Sequence, residues 1–310
     1  MTPASQSPRL AWLVNLFGDP DAQHAHAAAA LRPLAERLGA SVVPVYAFDD
    51  DAPALEDVAE SERHEYTKAR LTALLASHDL PPGDPVVVLP GADDSLRERV
   101  ERLAEAVAEV EPLFVAVHTH SYTTVDRVVL GSFSERFFNH APCPVLVLNP
   151  QRDAPAAVQA IAFATDFSAN AQAAFAQLLP IARALGATVI VEHQLAVREL
   201  PLFLSGPSAR EQYERELAEE RTRYEGQLVP FRVAAEAAGV RVSATVAVES
   251  ASITPGEGVE ERAADRGVSM IAVCAHGDHR RPGNLGSTAL WLMRHARRPV
   301  LVFPAARQKR

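Results

Sequence analysis

The sequence predicts an α/β protein with two tandem doubly wound domains, each a five-stranded parallel sheet with helices on both faces. Three observations lead to this fold class. The chain repeats itself, each half alternates short β-rich runs with helical patterns, and 310 residues suffice for about two domains of roughly 150 residues. We therefore expect one domain over residues 1–149 and a second over residues 150–310.

The repeat is clearest where each half ends. Residues 131–148 and 286–303 both open with Gly-Ser, continue as a helical pattern closed by His-Ala, and pass through proline into Val-Leu-Val. The front ends match as well, since residues 32–43 and 179–190 share Leu-Gly-Ala and an internal proline, Pro33 or Pro180. Proline inside a helix costs about 3 kcal/mol. A proline shared by both copies therefore indicates a common module rather than two accidents.

The second half shows the elements most clearly. The first strand covers residues 158–165 and ends at Asp166, and Asp166 or Ser168 is placed to cap the next helix. That helix carries an apolar stripe from Ala171 to Leu185, and Gly186 ends it. The later strands are expected over residues 187–191, 241–248, 268–275 and 299–303, with a helix near 259–265.

A loop is expected over residues 194–206, followed by a long charged helix that a capping box of Ser208 and Glu211 would begin. The apolar stripe of that helix, expected to cover the domain, is formed by Tyr213, Leu217, Tyr224 and Leu228.

The first half repeats this order of strands and helices. Its strands are expected near residues 11–17, 40–46, 85–89, 113–117 and 144–148. Two capping boxes, Ser95 with Glu98 and Ser132 with Glu135, predict where two of its helices begin.

Composition narrows the class of protein. Hydrophobic residues at 48% and charged residues at 22% are typical of a soluble globular protein, and no apolar run approaches the roughly 18 residues of a membrane span. The net charge of −9 without a basic stripe argues against nucleic acid as a partner.

The first eight residues lack the features of a secretion signal, so we expect a cytoplasmic protein. Cys143 and Cys274 occupy non-equivalent positions in the two copies, and we interpret them as structural thiols.

Both ends of the repeat resemble a known family. Residues 161–168, Ile-Ala-Phe-Ala-Thr-Asp-Phe-Ser, lead into an alanine-rich helix and then Leu-Gly-Ala-Thr-Val-Ile-Val, and this resembles the opening of universal stress protein domains. The Gly-Ser, helix, His-Ala and Pro-Val-Leu-Val series resembles their close. The resemblance covers essentially the whole chain as two tandem copies. It implies a Rossmann-like fold and a stress-response function without enzymatic activity, slow ATP hydrolysis being the one reaction left open.

The ATP-binding members of that family resemble one another in a glycine pattern: Gly, two residues, Gly, nine residues, Gly, then Ser or Thr. The second copy reads Cys274-Ala-His-Gly277, eight residues, then Gly286-Ser287. The first copy reads His118-Thr-His-Ser121, nine residues, then Gly131-Ser132, and so lacks two of the glycines. The resemblance therefore implies a partial nucleotide motif in the C-terminal domain and a degenerate one in the N-terminal domain.

ATP is thus the expected ligand of the C-terminal domain. Ligands of doubly wound sheets bind at the carboxyl ends of the strands. Glycines let backbone N–H groups approach phosphate at a helix N-terminus, and arginine pairs with phosphate oxygens. The predicted cofactor-binding residues are Thr165, Asp166, Val191, His276, Gly277, Arg280, Gly286, Ser287 and Thr288.

No catalytic residue and no metal ligand is predicted. His118 and His120 are spaced like a metal pair, but a zinc site needs at least a third protein ligand. Cys274 close to His276 hints at an activated thiol, although no third group supports it. The alternative function remains open: Asp166 and Gly286 merely cap helices, and the protein is an interaction module that binds no nucleotide.

The fifth strand of each half predicts how the two domains associate. Residues 144–148 and 299–303 are apolar and lie at the edge of each expected sheet, where an exposed strand seeks a partner. Two copies on one chain are held at a high effective concentration, so we expect an intramolecular pseudo-dimer through these strands. Residues 149–155, rich in proline and polar groups, would serve as the linker. A homodimer of the whole chain is left open.

Overall fold

A computed structural model describes residues 7–18, 21–47, 55–89, 94–118, 137–138, 140–149, 157–197, 207–276 and 285–304. In the first half the elements are β1 (Arg9–Leu13), α1 (Asp21–Leu38), β2 (Ser41–Ala47), α2 (Arg63–Ser77), β3 (Val86–Val88), α3 (Leu96–Val110), β4 (Val115–His118) and β5 (Val145–Leu148). In the second half they are β6 (Ala160–Ala164), α4 (Ala169–Leu185), β7 (Thr188–Val197), α5 (Pro207–Gln227), α6 (Val229–Ala237), β8 (Val242–Ser250), α7 (Pro255–Asp265), β9 (Met270–Cys274), α8 (Ser287–His295) and β10 (Val300–Phe303).

The described strands form a single ten-stranded sheet in the order β3-β2-β1-β4-β5-β10-β9-β6-β7-β8. Every pairing within a half is parallel, which confirms the predicted doubly wound fold class. At the junction β5 and β10 pair antiparallel, with Leu146 opposite Leu301 and Val147 opposite Val300. The two strands that the sequence placed at the domain edges are therefore neighbours in the fold.

Apolar side chains cover both faces of this sheet. Helices α1, α2, α4 and α6 pack on one face, where the fully buried residues include Leu31, Leu71, Leu178 and Phe231. Helices α3, α7 and α8 pack on the other face. Each of the two cores includes residues from both halves, because the sheet is continuous across β5 and β10.

Several local signals predict the structure correctly. Ser95 and Glu98 form both hydrogen bonds of a capping box at the start of α3, and Gly186 ends α4 in the left-handed conformation at φ 67°. Pro33 and Pro180 both lie inside their helices. The capping box expected at residues 132 and 135 lies outside the described part of the chain.

Other boundaries differ from the sequence expectation. β1 covers Arg9–Leu13 rather than residues 11–17. β7 continues to Val197, so the loop expected from residue 194 is strand as far as residue 197, because β8 pairs with it along its length. α5 begins at Pro207, which places Ser208 inside the helix rather than at its cap. α7 begins at Pro255, since Thr254 caps it by accepting a hydrogen bond from the Glu257 amide.

None of the helices in the described ranges is long and apolar enough to cross a membrane.

Candidate functional site

A cavity of about 500 Å³ lies at the carboxyl ends of β6, β7 and β9. β6 runs between β9 and β7 in the sheet, so the chain leaves β6 in one direction for β7 and returns on the other side as β9. This is the switch point at which doubly wound sheets bind ligands. The lining residues come from the three strand ends, the turn that follows β6, and the N-terminal parts of α7 and α8: Ala164, Thr165, Asp166, Phe167, Ser168, Glu192, His193, Gln194, Pro255, Val259, Val273, Cys274, His276, Gly286, Ser287, Thr288 and Ala289.

The turn from β6 into α4 presents Asp166 to the cavity. Thr165 is buried, and its hydroxyl accepts a hydrogen bond of 3.0 Å from the Phe167 amide. Asp166 Oδ1 accepts one of 3.1 Å from the Ser168 amide, and Ser168 in turn caps α4 by accepting from the Ala171 amide. Of the two predicted capping groups, Ser168 caps the helix, whereas Asp166 bonds the amide of Ser168 just before it and stays exposed at the cavity rim.

Phe167 adopts a left-handed backbone conformation, with φ 63°. This conformation is uncommon for a bulky residue and is strained. Its ring lies 4.5 Å from the ring of His193 and is stacked on Tyr224 with an interplanar angle of 10°. Tyr224 belongs to the apolar stripe of α5, and it packs against the core as the sequence predicted. The strained turn is thus fixed by aromatic contacts beside the cavity.

His193 is oriented by a hydrogen bond to the backbone. Its Nδ1 lies 2.8 Å from the carbonyl oxygen of Thr165, so Nδ1 carries the proton and donates. Burial lowers the pKa of His193 below its ordinary value, and the hydrogen bond to Thr165 opposes that shift only in part. The imidazole is therefore neutral at physiological pH.

The N-terminus of α8 forms the opposite wall. Gly286 is the N-cap, and its N–H donates a 2.6 Å hydrogen bond to the carbonyl of Ala275. A Cβ at Gly286 would stand 3.1 Å from that same oxygen, so a larger residue would crowd the Ala275 carbonyl. The Gly286 amide thus already has an acceptor within the fold, while the residue itself lines the cavity. The amides of the first helical turn, at Ser287 and Thr288, have no intrahelical acceptor and form the anion-attracting end of the cavity.

A buried charge cluster lies beside the cavity on β7, β8 and α7. Glu192 is 2% exposed, and its Oε2 accepts a 2.9 Å hydrogen bond from Nε of Arg262. Arg262 also pairs with Glu249, and Arg266 approaches Glu192 at 3.6 Å. Burial raises the pKa of Glu192 above its ordinary value, although Arg262 acts in the opposite direction. Sequence reasoning missed this cluster, and its one local signal was a glutamate within the apolar run of residues 189–192.

Six of the nine predicted residues line the cavity, namely Thr165, Asp166, His276, Gly286, Ser287 and Thr288. Val191 does not line it, because its side chain is fully buried in the core on the α1 and α4 face of the sheet. Its successors Glu192, His193 and Gln194 line the cavity instead. Gly277 and Arg280 lie outside the residues that the structure describes.

Backbone groups contact both cysteines. The Cys274 thiol donates to the carbonyl of His276 at 3.2 Å. Burial raises the pKa of Cys143 to about 12. His118 is buried at the end of β4 with its ring 5.9 Å from that of His26, and residue 120 lies outside the described ranges. Within those ranges no group of three or more side chains is arranged to hold a metal ion.

The fold and the cavity define a class of protein: a doubly wound α/β protein of two similar domains, with a candidate site in the second domain. The family model described as the universal stress protein family matches residues 13–149 and again residues 158–304, and the chain belongs to this family.

Solved structures share the fold along almost the full chain. A universal stress protein from Archaeoglobus fulgidus is 14% identical, with 97% of this chain and 100% of that one covered and a TM-score of 0.60. A protein of unknown function from Pseudomonas aeruginosa PAO1 is 14% identical, with coverages of 97% and 93% and a TM-score of 0.58. A putative universal stress protein from Pseudomonas aeruginosa UCBPP-PA14 is 13% identical, with coverages of 97% and 94% and a TM-score of 0.55. No curated protein matches the chain.

Proposed function

We propose that this universal stress protein is a cytoplasmic sensor whose C-terminal domain binds an adenine nucleotide, ATP, in the cavity at the ends of β6, β7 and β9. The N-terminal domain is then a degenerate copy with a structural role. The protein acts by binding and not by catalysis. We further propose that the pairing of β5 with β10 makes each chain an intramolecular pseudo-dimer.

One observation carries the nucleotide proposal: Asp166 and the N-terminus of α8 line the same cavity at the switch point of the sheet. Its volume of about 500 Å³ falls within the range of small-molecule sites. The α8 N-terminus, with the amides and hydroxyls of Ser287 and Thr288, attracts the phosphates through the helix dipole and unpaired N–H groups. The exposed carboxylate of Asp166 accepts hydrogen bonds from ribose hydroxyls or from the base.

Isothermal titration of the full chain with ATP and Mg²⁺ tests this proposal. We expect saturable binding, and we expect Asp166→Ala to weaken it at least about tenfold, because hydrogen bonds to charged groups contribute about 1.5–3 kcal/mol. Glu236→Ala is the matched control, since it removes an exposed carboxylate from α6, away from the cavity.

Two results would contradict the proposal. The absence of heat at millimolar ATP would favour the interaction module that binds no nucleotide. Equal affinity of the wild type and Asp166→Ala would show that nucleotide binds elsewhere.

A further inference from the structure

The sheet ends in a long, regular strand. Among the described strands, β8 lies at one edge and β3 at the other. β8 has nine residues, Val242–Ser250, whereas β3 has three, Val86–Val88. β8 pairs with β7 in continuous register along its whole length, so no bulge interrupts it. An edge strand presents unpaired N–H and C=O groups to any strand that can lie beside it, and a very short strand presents few of them. β8 is therefore the edge that offers a partner the most pairing.

The backbone groups of β8 alternate between β7 and the outer edge. The Ala251 amide donates to the carbonyl of Val197 in β7, so odd-numbered residues bond to β7 and even-numbered residues direct their N–H and C=O groups outward. A contact of α6 agrees with this alternation, because Nη2 of Arg232 donates to the outward carbonyl of Ala244 at 2.8 Å. Toward the carboxyl end of β8, no described strand pairs with the outward groups of residues 246, 248 and 250.

Exposed valines accompany this edge. Within the described part of the second half, the exposed large hydrophobic side chains are Val229 at 48%, Val233 at 58% and Val248 at 40%. Val248 belongs to β8, and the other two belong to α6. α6 is joined to β8 by residues 238–241 and is held to the strand by Arg232, so it runs back along β8. Apolar side chains beside an unpaired strand edge indicate an interaction surface.

β8 lacks the devices that usually keep edge strands apart, which are lysine, proline and bulges. The sequence of the strand, Val-Ser-Ala-Thr-Val-Ala-Val-Glu-Ser, contains neither lysine nor proline. Its carboxylate, Glu249, is paired with Arg262 of the same chain. Arg232 covers the carbonyl of Ala244 near the start of the strand, and this contact leaves residues 246–250 at the carboxyl end.

We propose that β8 pairs with β8 of a second copy of the chain, antiparallel and around a two-fold axis at Val248. Val248 then lies opposite its counterpart, and Val246 lies opposite Ser250 of the partner subunit. The outward groups of residues 246, 248 and 250 exchange about six backbone hydrogen bonds between the chains. Opposed β-branched side chains stabilise strand pairs. No like charges meet along the pair, because Glu249 lies opposite Ala247 of the partner subunit.

Two features favour a second copy over an unrelated strand. The end of β8 is complementary to itself, as two-fold association requires. The chain also joins its own halves by antiparallel pairing of short apolar strands, β5 and β10, and the dimer extends the same sheet by the same chemistry. The overlap of five residues spans about 17 Å, which is short for a permanent interface. We therefore expect a reversible dimer, and its formation does not depend on nucleotide binding.

Sedimentation equilibrium of the full chain over micromolar concentrations tests this proposal. The wild type should approach twice the monomer mass as the concentration rises. Val248→Lys should weaken dimerisation at least about tenfold, because two ammonium groups would then face each other at the axis. Leu113→Lys is the matched control, since it adds the same charge at a 36% exposed leucine of the first half. It should leave the dimer unchanged.

A charge-swapped pair distinguishes repulsion at the axis from misfolding. Val248→Glu alone should dimerise as weakly as Val248→Lys, whereas an equimolar mixture of the two variants should recover the dimer, because opposite charges then meet. Native mass spectrometry identifies the mixed dimer. A wild type that stays monomeric, or a dimer that Val248→Lys leaves intact, would overturn the proposal. Failure of the mixture to associate would overturn the antiparallel pairing around Val248.

Discussion

Shortening Leu301 should destabilise both halves of the chain together. Leu301 is 1% exposed in β10, opposite Leu146 of β5, and both side chains belong to the core on the α1 and α4 face of the sheet. Truncation of a buried leucine to alanine removes its transfer free energy and leaves a cavity, which costs about 2–5 kcal/mol. We therefore expect Leu301→Ala to lower the free energy of unfolding by that amount.

The two tryptophans allow each half to be followed separately in urea. Trp12 lies in β1 of the first half and Trp291 in α8 of the second. With Trp291 replaced by phenylalanine, the fluorescence of Trp12 reports the first half alone. Because the sheet and its cores are continuous across β5 and β10, Leu301→Ala should also lower the midpoint of the Trp12 transition. Val248→Ala, at a 40% exposed position on the edge strand β8, is the control and should change the midpoint little.

A double-mutant cycle strengthens the test. Leu146→Ala and Leu301→Ala affect directly paired residues, so their effects should be non-additive by about 0.5–3 kcal/mol. A Trp12 transition that is unmoved by Leu301→Ala, together with strictly additive effects, would refute the reasoning that the two halves form one cooperative sheet.

Three further predictions concern single positions. Gly256→Ala should lower the free energy of unfolding, measured by thermal denaturation, by about 1–3 kcal/mol, because the new Cβ would stand 2.8 Å from the Trp291 ring. An unchanged stability would contradict the close packing of α7 against α8. Burial raises the pKa of Glu260 above its ordinary value, although Arg298 opposes the shift. Between the two pKa values the folded chain therefore keeps a proton that the unfolded chain releases. The free energy of unfolding of the wild type, relative to that of Glu260→Gln, should fall as the pH rises from 4.5 through the raised pKa. A stability difference that is flat between pH 4.5 and 8 would contradict this sign. Burial raises the pKa of Cys143 to about 12, so alkylation at pH 8 should leave Cys143 unmodified in the native protein and modify it in urea, whereas rapid native labelling would disprove its protection.

Much of the fold could be predicted because two copies carry the same signals. Gly186, Pro33 and Pro180 mark equivalent helices in the two halves, and the edge strands at residues 144–148 and 299–303 are apolar in both. The extent of β7 could not be predicted. Its last residues are held by pairing with β8, which is a long-range contact that local sequence does not reveal.

The candidate site also contains residues that the sequence predicts and residues that it does not. Asp166, His276 and Ser287 could be predicted because they directly follow strands or begin a helix, and strand ends of a parallel sheet meet at one edge. Glu192 and Gln194 could not be predicted as lining residues, since the strand was expected to end at residue 191. The pairing of Glu192 with Arg262 joins residues 70 positions apart, which local sequence does not reveal.

Hydrogen exchange of the full chain, measured by mass spectrometry with and without saturating ATP and Mg²⁺, tests the central claim most directly. Nucleotide binding in the C-terminal cavity should slow exchange in peptides that cover residues 165–169 and 286–290, and it should leave residues 115–118 of β4 unchanged. Protection confined to the first half, or no protection in either of the two C-terminal peptides, would contradict the account.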